Sequence, residues 1–414
     1  MHLDINTDIA FTYLTARPKQ TAVAAIGVMF GISMYIFMNS LITGTNDYFE
    51  KVTLSTTPHL RLYAENPMAT TAMLDRFFGT KRINLLSNPQ LVPGDNRIYN
   101  PDALIISLKH DKLVSAVSPQ VNVNVVYSVG SFQENGNVAG VSILEQDRMF
   151  DITSTMLAGN VEELANNPNG IIIGAELAKT LSLRKGDNLL LSSSQGVARQ
   201  LEVVGIFKTT IKTIDKAKTY VNVPVAQQLL RQNRSYITDI YINLHNYAQA
   251  EDVSQLFAQR TGYTVESWQA ANEQSLAARM IRDVIANAVV ITILIVAGFG
   301  IYNILTMSIY EKIKEIAILK ATGFDGADVV GIFIRQAIII GLLGGLLGAT
   351  VGWGLSLLAS RYYIGMGNIT YLPMSFHLRH YVQGFLFGVV TSFFAGYIPA
   401  RKAANVDPVS IIRG

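Results

Sequence analysis

The sequence contains no cysteine and little charge. Cysteine is absent from all 414 residues, which excludes disulfides, cysteine metal sites and a cysteine nucleophile. Only 15% of the residues are charged while 50% are hydrophobic, a balance too apolar for an ordinary soluble enzyme. The formal net charge is only +3, and no basic block is interleaved with aromatic residues. The composition therefore predicts no nucleic-acid partner.

Motifs for nucleotide binding and hydrolysis are also missing from the sequence. No GxxxxGK[ST] loop, HExxH or GxSxG occurs, so the chain does not hold ATP in the P-loop manner. His377 and His380 share a helical face in HLRH, but no third candidate ligand lies at a fixed spacing from them. We therefore predict no catalytic residue, no cofactor-binding residue and no metal ligand in this chain.

Long apolar runs are what the sequence has in abundance. Four of them lack charged residues and are long enough to cross a bilayer core: Thr21–Asn46, Val284–Tyr310, Gln336–Ser360 and Tyr381–Ala400. The first is too long for a signal peptide and no cleavage site follows it, so we expect it to stay as a span. A proton- or ion-coupled carrier usually buries charged groups at mid-membrane, so these runs argue against a secondary transporter.

The distribution of lysine and arginine near the span ends predicts the orientation. Basic residues concentrate before the first run, between the second and third, and after the fourth: Arg17, Lys19, Lys312, Lys314, Lys320, Arg335, Arg401, Lys402 and Arg413. These regions are placed in the cytoplasm, and the long segment after the first span is placed outside. The predicted fold class is a membrane protein with four transmembrane α-helices and a large α+β extracytoplasmic domain inserted between helices 1 and 2.

The segment 47–282 alternates strand and helix patterns. Val114–Val129 alternates with period two and predicts a strand, whereas Ala248–Gly262 predicts a helix that ends at glycine. The central stretches GIIIG, NLLLS, QLEVVGIF and KTYVNV predict a mostly β module inserted into an α+β unit. Asn66–Asn100 has little periodicity and is interpreted as an insertion on the outer surface. Glu273–Arg282 runs into the second span without a break signal, which predicts one continuous helix.

The predicted boundaries follow from these patterns. Asp4–Arg17 carries an apolar stripe ended by Pro18, which predicts an interfacial helix. The divisions are a cytoplasmic interfacial helix 1–19, TM1 20–46, a periplasmic domain 47–282 (an α+β porter-like unit from 47–130 and 231–272 with the mostly β module 131–230), TM2 283–310, a cytoplasmic helix and hinge 311–328, TM3 329–360, an outer loop 361–380, TM4 381–400 and a cytoplasmic tail 401–414.

The third span carries a ridge of glycines at a spacing of four. Gly344, Gly348 and Gly352 form GxxxGxxxG, and small residues at this spacing let helices approach closely in lipid. The ridge predicts helix packing within the bundle or across a dimer.

A short charged stretch, YEKIKEIAILKATGFD, separates the second and third runs. Apolar residues at helical spacing, including Ile313 and Ile316, predict an amphipathic helix. Gly323 suits the position after a helix end, and Asp325 is placed to cap the next helix, with a second aspartate three residues on. The residues alone leave two interpretations open: a loop on the membrane surface, or a docking element.

Several stretches of the chain resemble the FtsX-like ABC permeases. They are YEKIKEIAILKATGFDGADVVGIFIRQA (Tyr310–Ala337), YIPARKAANVDPVSIIRG (Tyr397–Gly414), NGIIIGAELAKTLSLRKGD (Asn169–Asp187) and LEVVGIFKTTIKTIDKAKTYVNVPV (Leu201–Val225). The resemblance covers nearly the whole chain except Asn66–Asn100. TPHLRLY, VSPQV and SWQAANEQSL make the lipoprotein-releasing permeases the most similar branch. Leu191–Val204 is too short for the carrier-recruiting hairpin of one subunit of that branch.

The resemblance implies a permease subunit of a type VII, mechanotransmission ABC transporter in the bacterial inner membrane. Such a subunit carries no ATP site of its own. In MacB the ATPase is fused before the first span, but only twenty residues precede the first span here, so the resemblance implies a separate cytoplasmic ABC ATPase. Further implied partners are membrane lipid, a second copy or a homologous permease, and a periplasmic carrier or membrane-fusion adaptor. The residues implied in ATPase coupling are Glu311, Lys312, Lys314, Glu315, Ile316, Leu319, Lys320, Gly323 and Asp325.

Three functions remain open at this point. The first is extraction of lipoprotein or lipid-like cargo from the inner membrane. The second is MacB-like efflux of peptides, toxins or small molecules through a membrane-fusion adaptor. The third is a regulator of cell-wall hydrolases. The first two differ in their partners, a soluble carrier against an adaptor.

Overall fold

The computed structural model describes residues 5–65, 96–366, 369–407 and 411. Most of the predicted insertion Asn66–Asn100 therefore lies outside the described residues, as do parts of the predicted tail. The chain divides into two compact units. We call the residues up to Phe49 together with those from Ala277 onward the membrane unit, and we call Glu50–Leu276 the sheet unit.

The helices and strands are numbered in chain order. The helices are α1 Ile5–Ala16, α2 Pro18–Leu54, α3 Pro101–Lys109, α4 Ile143–Phe150, α5 Ile152–Thr155, α6 Val161–Asn166, α7 Ala175–Thr180, α8 Lys212–Ala217, α9 Val223–Leu229, α10 Ala250–Thr261, α11 Trp268–Ala271, α12 Glu273–Glu311, α13 Ile313–Ala321, α14 Gly326–Ser360 and α15 Leu378–Ala404. The strands are β1 Leu60–Tyr63, β2 Val114–Val129, β3 Phe132–Val141, β4 Met156–Gly159, β5 Gly170–Gly174, β6 Asn188–Ser193, β7 Ala198–Phe207, β8 Lys218–Asn222, β9 Asp239–Leu244, β10 Thr264–Ser267, β11 Tyr363–Met366 and β12 Ile369–Tyr371.

Among the described residues, four helices, α2, α12, α14 and α15, are long and apolar enough to cross a membrane. Each contains one of the charge-free runs, but the helices extend beyond them. Helix α2 continues past the predicted end at residue 46 to Leu54, and α12 starts at Glu273. The i→i−4 backbone hydrogen bonds do not depend on side-chain polarity, so a helix need not end where the apolar run ends. The expectation of one helix from Glu273 into the second span is confirmed.

The core of the membrane unit is built where α2, α12 and α14 meet. Ile32 and Ile36 of α2, Ile301 and Leu305 of α12, and Ile340 of α14 are buried in one cluster. Helix α12 joins this core along a narrow seam and is the least buried of the four candidate spans. Helix α1 packs on α14, with Leu14 in the same cluster.

The sheet unit is organised around one ten-stranded sheet of the described residues. Its strand order is β10-β1-β9-β2-β3-β8-β5-β7-β4, and β6 pairs with both β2 and β7. Most neighbours are antiparallel, but β3 pairs with β8, and β5 with β7, in parallel. Two clusters of buried side chains pack in this unit, a large one that includes Leu60, Val121 and Phe257 and a smaller one that includes Ile172 and Phe207.

The sheet is continuous across the predicted module boundary at residues 130 and 131. That boundary falls in the turn of the β2–β3 hairpin, where Gly130 has a positive φ of 58°. Strand β2 pairs along its first part with β9 and farther along with β6. One 16-residue strand therefore pairs with strands of both predicted parts.

A buried carboxylate ties together three donors in the sheet unit. Asp239 Oδ1 accepts a hydrogen bond from Arg61 Nε at 2.6 Å, and its Oδ2 accepts from Asn122 Nδ2 at 2.7 Å and Thr238 Oγ1 at 2.6 Å. Its side chain is almost fully buried, while that of Arg61 is partly exposed. The group links β9 to its two neighbours in the sheet, β1 and β2.

Candidate functional site

The segment between α12 and α14 has the predicted helix–hinge–helix form. Helix α13 ends in a Schellman arrangement, in which the Phe324 N–H donates to the Leu319 carbonyl at 3.1 Å and the Gly323 N–H donates to the Lys320 carbonyl at 3.3 Å. Gly323 has a φ of 109°, a conformation that side chains disfavour. Asp325 then starts α14 with a capping box, and its N–H donates to the Asp328 carboxylate at 3.0 Å. The predicted cap is confirmed.

The inner face of α13 is fixed to the membrane unit by apolar packing. Ile316 and Ala317 are 1% and 0% exposed. Ile316 shares a cluster with one residue at the end of α12, two at the start of α14 and two at the end of α15: Ile309, Val329, Phe333, Ala400 and Ala403. Ile316 was predicted as a coupling residue. The structure places it inside the protein, where it holds the helix and does not touch solvent.

The outer face of α13 combines charge with one exposed apolar side chain. Lys314 and Glu315 are exposed, and Ile318 is 56% exposed although it is a large aliphatic residue. Ile318 lies one helical turn after Lys314 and points away from the buried pair. The set of coupling residues predicted from the sequence omits Ile318. The signal that could have found it is the width of the apolar stripe, which exceeds what one buried face needs.

Lys320 has a structural contact of its own. Its Nζ donates to the backbone carbonyls of Ala404 at 2.8 Å and Val406 at 2.7 Å. Ala404 is the last residue of α15 and Val406 lies two residues beyond it, at the helix end where C=O groups lack intrahelical partners and a cation is favourable. Lys320, one of the predicted coupling residues, thus binds the end of α15 to α13.

Helix α1 contacts α13 and the end of α12 through a polar network. Arg17 forms an ion pair with Glu311. The Lys312 ammonium lies 2.6 Å from a Glu315 oxygen and 5.2 Å from the centre of the Tyr13 ring, within cation–π range. Burial, the negative charge of Glu315 and a hydrogen bond to that carboxylate raise the pKa of Tyr13 to about 12. The phenol therefore stays protonated and acts as a donor at neutral pH.

Two further contacts join α1 to α14. Asn6 Nδ2 donates to Asp328 Oδ1 at 3.3 Å, and the rings of Tyr13 and Phe333 lie 6.3 Å apart. The predicted apolar stripe of α1 is therefore used in contacts with the protein, at Ala10 and Leu14 in particular, which are both buried. The apolar stripe of α1 predicts an interfacial helix, whereas its contacts with α13 and α14 are visible only in the structure.

The glycine ridge of α14 lies against α2 of the same chain. A Cβ built on Gly344 would lie 2.6 Å from the Val28 Cβ. One on Gly348 would lie 2.8 Å from the Ile32 Cβ. All three glycines of the ridge are buried, so the close approach that they allow is used within the chain.

The two histidines of HLRH stack at the start of α15. Their ring centroids are 5.8 Å apart, and His377 Nε2 lies 4.0 Å from an Asp47 oxygen. Within residues 5–65, 96–366, 369–407 and 411, no group of three or more His, Cys, Asp or Glu side chains is arranged to hold a metal ion.

Comparisons with known proteins assign the class. The model of the MacB-like periplasmic core domain matches residues 21–260, more than half of the chain, and the FtsX-like permease C-terminal model matches residues 287–408. The chain therefore belongs to the family of membrane permeases that combine a MacB-like periplasmic core domain with an FtsX-like C-terminal part.

Individual relatives define the type of permease. The lipoprotein-releasing system transmembrane protein LolC of Xylella fastidiosa is 25% identical over 73% of this chain and 78% of its own length. LolC of Neisseria meningitidis is 22% identical over 98% of both chains. The macrolide export ATP-binding/permease protein MacB of Psychrobacter cryohalolentis is 25% identical over 78% of this chain but only 49% of its own length. This chain is an ABC transporter permease of the LolC/MacB type.

Proposed function

We propose that this chain transmits ATP-driven motion from a cytoplasmic ABC ATPase to its periplasmic domain, and that the motion extracts lipoprotein or lipid-like cargo from the inner membrane. The observation that carries the proposal is the two-faced helix α13. Its inner face is packed on the ends of three candidate spans, while its outer face presents Lys314, Glu315 and Ile318. A force applied to that outer face reaches all three helices, because packed interiors transmit strain.

The proposal takes ATP hydrolysis to be the work of a partner protein. The MacB relative is named an ATP-binding/permease protein, and the match covers about half of it. We place α13 and both termini on the cytoplasmic side, where such an ATPase acts, and the sheet unit in the periplasm. A second copy of this chain or a homologous permease completes the transporter.

The LolC relatives favour lipoprotein as the cargo over the small molecules of an efflux system. The match to LolC of Neisseria meningitidis covers almost the whole of both chains, whereas the MacB match leaves half of that protein uncovered. The β6–β7 hairpin is closed by a loop of only four residues, 194–197, so it forms no long arm for a soluble carrier. We therefore propose that a second, homologous permease supplies the carrier contact.

Co-purification and reconstitution test this proposal together. The tagged full-length chain is purified from its native membranes and its partners are identified by mass. The expected set is an ABC ATPase and one further permease, and the reconstituted complex is expected to release membrane-inserted lipoprotein only with ATP. Recovery of a membrane-fusion adaptor would favour MacB-like efflux. Recovery of no ABC ATPase under conditions that keep the permease folded would refute the coupling role.

Charge reversal on the outer face tests the docking role within that complex. Glu315→Lys is expected to lower ATP-dependent cargo release at least tenfold, because a like-charge contact at an interface costs on the order of several kcal/mol. Glu315→Lys breaks the ion pair with Lys312 and the hydrogen bond from Tyr13, but Glu315 is exposed, so the stability of the permease should change by no more than about 1 kcal/mol. Lys320→Glu is less suitable, because it also breaks two bonds to the end of α15. Wild-type release from Glu315→Lys would contradict the docking role.

A further inference from the structure

A groove runs between helix α1 and helix α13 on the outer side of the candidate site. Its volume is about 380 Å³. Helix α1 contributes Ile9, Thr12 and Tyr13, and α13 contributes Ile318 and Leu319, which together form a mostly apolar surface. The exposed face of α13 is therefore only one wall of a larger concave feature.

The two walls are joined firmly enough to act as one surface. Arg17 pairs with Glu311 at one end of α1, and the Tyr13 ring lies beside the Lys312 ammonium and the Glu315 carboxylate. On its other side the Tyr13 ring approaches Phe333 of α14. A partner that displaces α13 must therefore displace α1 with it.

The charged residues that line the groove are Asp8 and Glu315, and we call these two carboxylates its acidic rim. The Lys312 ammonium contacts the Tyr13 ring and the Glu315 carboxylate. An occupant that matches the groove has an apolar side chain to fill it and a basic group to meet the rim, since complementary charge guides and orients association. The acidic rim disfavours the anionic headgroups of the cytoplasmic leaflet as the occupant.

We propose that α1 is the second wall of the ATPase-docking surface and that the groove between α1 and α13 receives an apolar side chain flanked by a basic residue of the ATPase. This inference rests on the proposed function. It assigns to α1 a direct contact with the ATPase, in addition to its packing on α14.

The absence of cysteine makes cross-linking a direct test. Thr12→Cys places a single thiol on the groove wall, and Phe11→Cys places one on a neighbouring residue that is 59% exposed and outside the groove. Each is labelled with a maleimide photo-cross-linker in native membranes that contain the co-purified ATPase. We expect a cross-link to the ATPase from residue 12 and not from residue 11. Cross-linking to lipid alone from residue 12, or equal cross-linking from both residues, would overturn the proposal.

Affinity measurements separate this proposal from the proposed function. Ile9→Ser and Ile318→Ser are each expected to weaken binding of the purified ATPase to the full-length permease in nanodiscs about tenfold, as for apolar residues central to an interface. Phe11→Ser is the matched control and should leave the affinity unchanged, and thermal unfolding reports whether each variant is folded. Loss of affinity in Ile318→Ser but not in Ile9→Ser overturns the role of α1 and leaves α13 as the docking element. Unchanged affinity in both variants overturns the docking surface altogether.

Discussion

Substituting one glycine of the α14 ridge should separate α14 from α2. An alanine Cβ at Gly348 would lie 2.8 Å from the Ile32 Cβ and 2.9 Å from the Met29 carbonyl oxygen. Carbon atoms in good contact lie about 3.5–4.0 Å apart, so the helices must move by roughly 1 Å or Ile32 must leave its rotamer. Gly354 provides the matched control on the same helix, because nothing lies within 4 Å of a Cβ built there.

The magnitude follows from two opposing effects. Overpacking a well-packed site costs about 1–3 kcal/mol. Alanine also favours a helix over glycine by about 1 kcal/mol, a gain that Gly348→Ala and Gly354→Ala share. The difference between the two variants therefore isolates the clash and should be about 1–3 kcal/mol in favour of Gly354→Ala. Across the ridge the effect should decrease from Gly344 to Gly352, since the nearest contacts are 2.6, 2.8 and 3.0 Å for the three positions in order.

Unfolding of the purified full-length protein by sodium dodecyl sulfate in mixed micelles measures this difference, with far-UV circular dichroism as the readout. Gly348→Ala is expected to unfold at a lower detergent fraction than the wild type, and Gly354→Ala at the same or a higher fraction. Coincident transitions for the two variants would show that the close approach of α14 to α2 does not stabilise the bundle. An effect that did not follow the order of contact distances would show that the ridge relaxes without strain.

Three further predictions concern polar groups outside the spans. Asp239→Ala removes the acceptor of Arg61 and Asn122, so it should destabilise the sheet unit by about 1–3 kcal/mol, measured by pulse proteolysis of the full-length protein; wild-type resistance would contradict this. A hydrogen bond from a backbone N–H and one from an arginine of α10 lower the pKa of Asp111, so its contribution is present at neutral pH and is lost as the pH falls through the folded-state pKa. The wild type should therefore lose more thermal stability than Asp111→Asn when the pH falls from neutral to about pH 3. The difference should be no more than about 1 kcal/mol, because the arginine is exposed. Equal losses in the two proteins would refute this. Lys320→Met should increase trypsin cleavage at the end of α15, since it removes two bonds to that end, whereas Lys314→Met on the exposed face should not.

The sequence predicted the elements whose limits are set by local chemistry. The period-two strand Val114–Val129 has the observed bounds of β2. Helix α10 is followed by the cap residue Gly262, which has a φ of 72°, because glycine adopts the left-handed conformation at little cost. The cap at Asp325 depends only on residues three apart and was found for the same reason.

Features that depend on distant parts of the chain were predicted less well. The apolar run of the first span ends at residue 46, but α2 continues through Asp47 and Glu50 to Leu54. Hydropathy marks the residues that lipid tolerates, whereas the end of a helix depends on backbone hydrogen bonding and on the residues that cap it. Similarly, the division at residue 131 came from the strand patterns that follow it, GIIIG, NLLLS, QLEVVGIF and KTYVNV. The pairing of β2 with β9, β3 and β6 joins strands from both sides of that division into one sheet.

The assignment of faces on α13 shows most clearly why pattern alone was insufficient. A single-sided amphipathic helix has one apolar face, and the stripe of α13 was interpreted in that way. In the structure, one side of α13 packs against the ends of three other helices. Ile316 is on that side and is buried, whereas Ile318 lies about 200° away around the helix and is exposed. The two isoleucines therefore have different roles. Ile316 anchors the helix, and Ile318 marks the surface that we propose for a partner. The same distinction applies to the lysines of α13, of which Lys320 bonds to the end of α15 and Lys314 faces solvent. A substitution intended to test docking is informative only at the second kind of position.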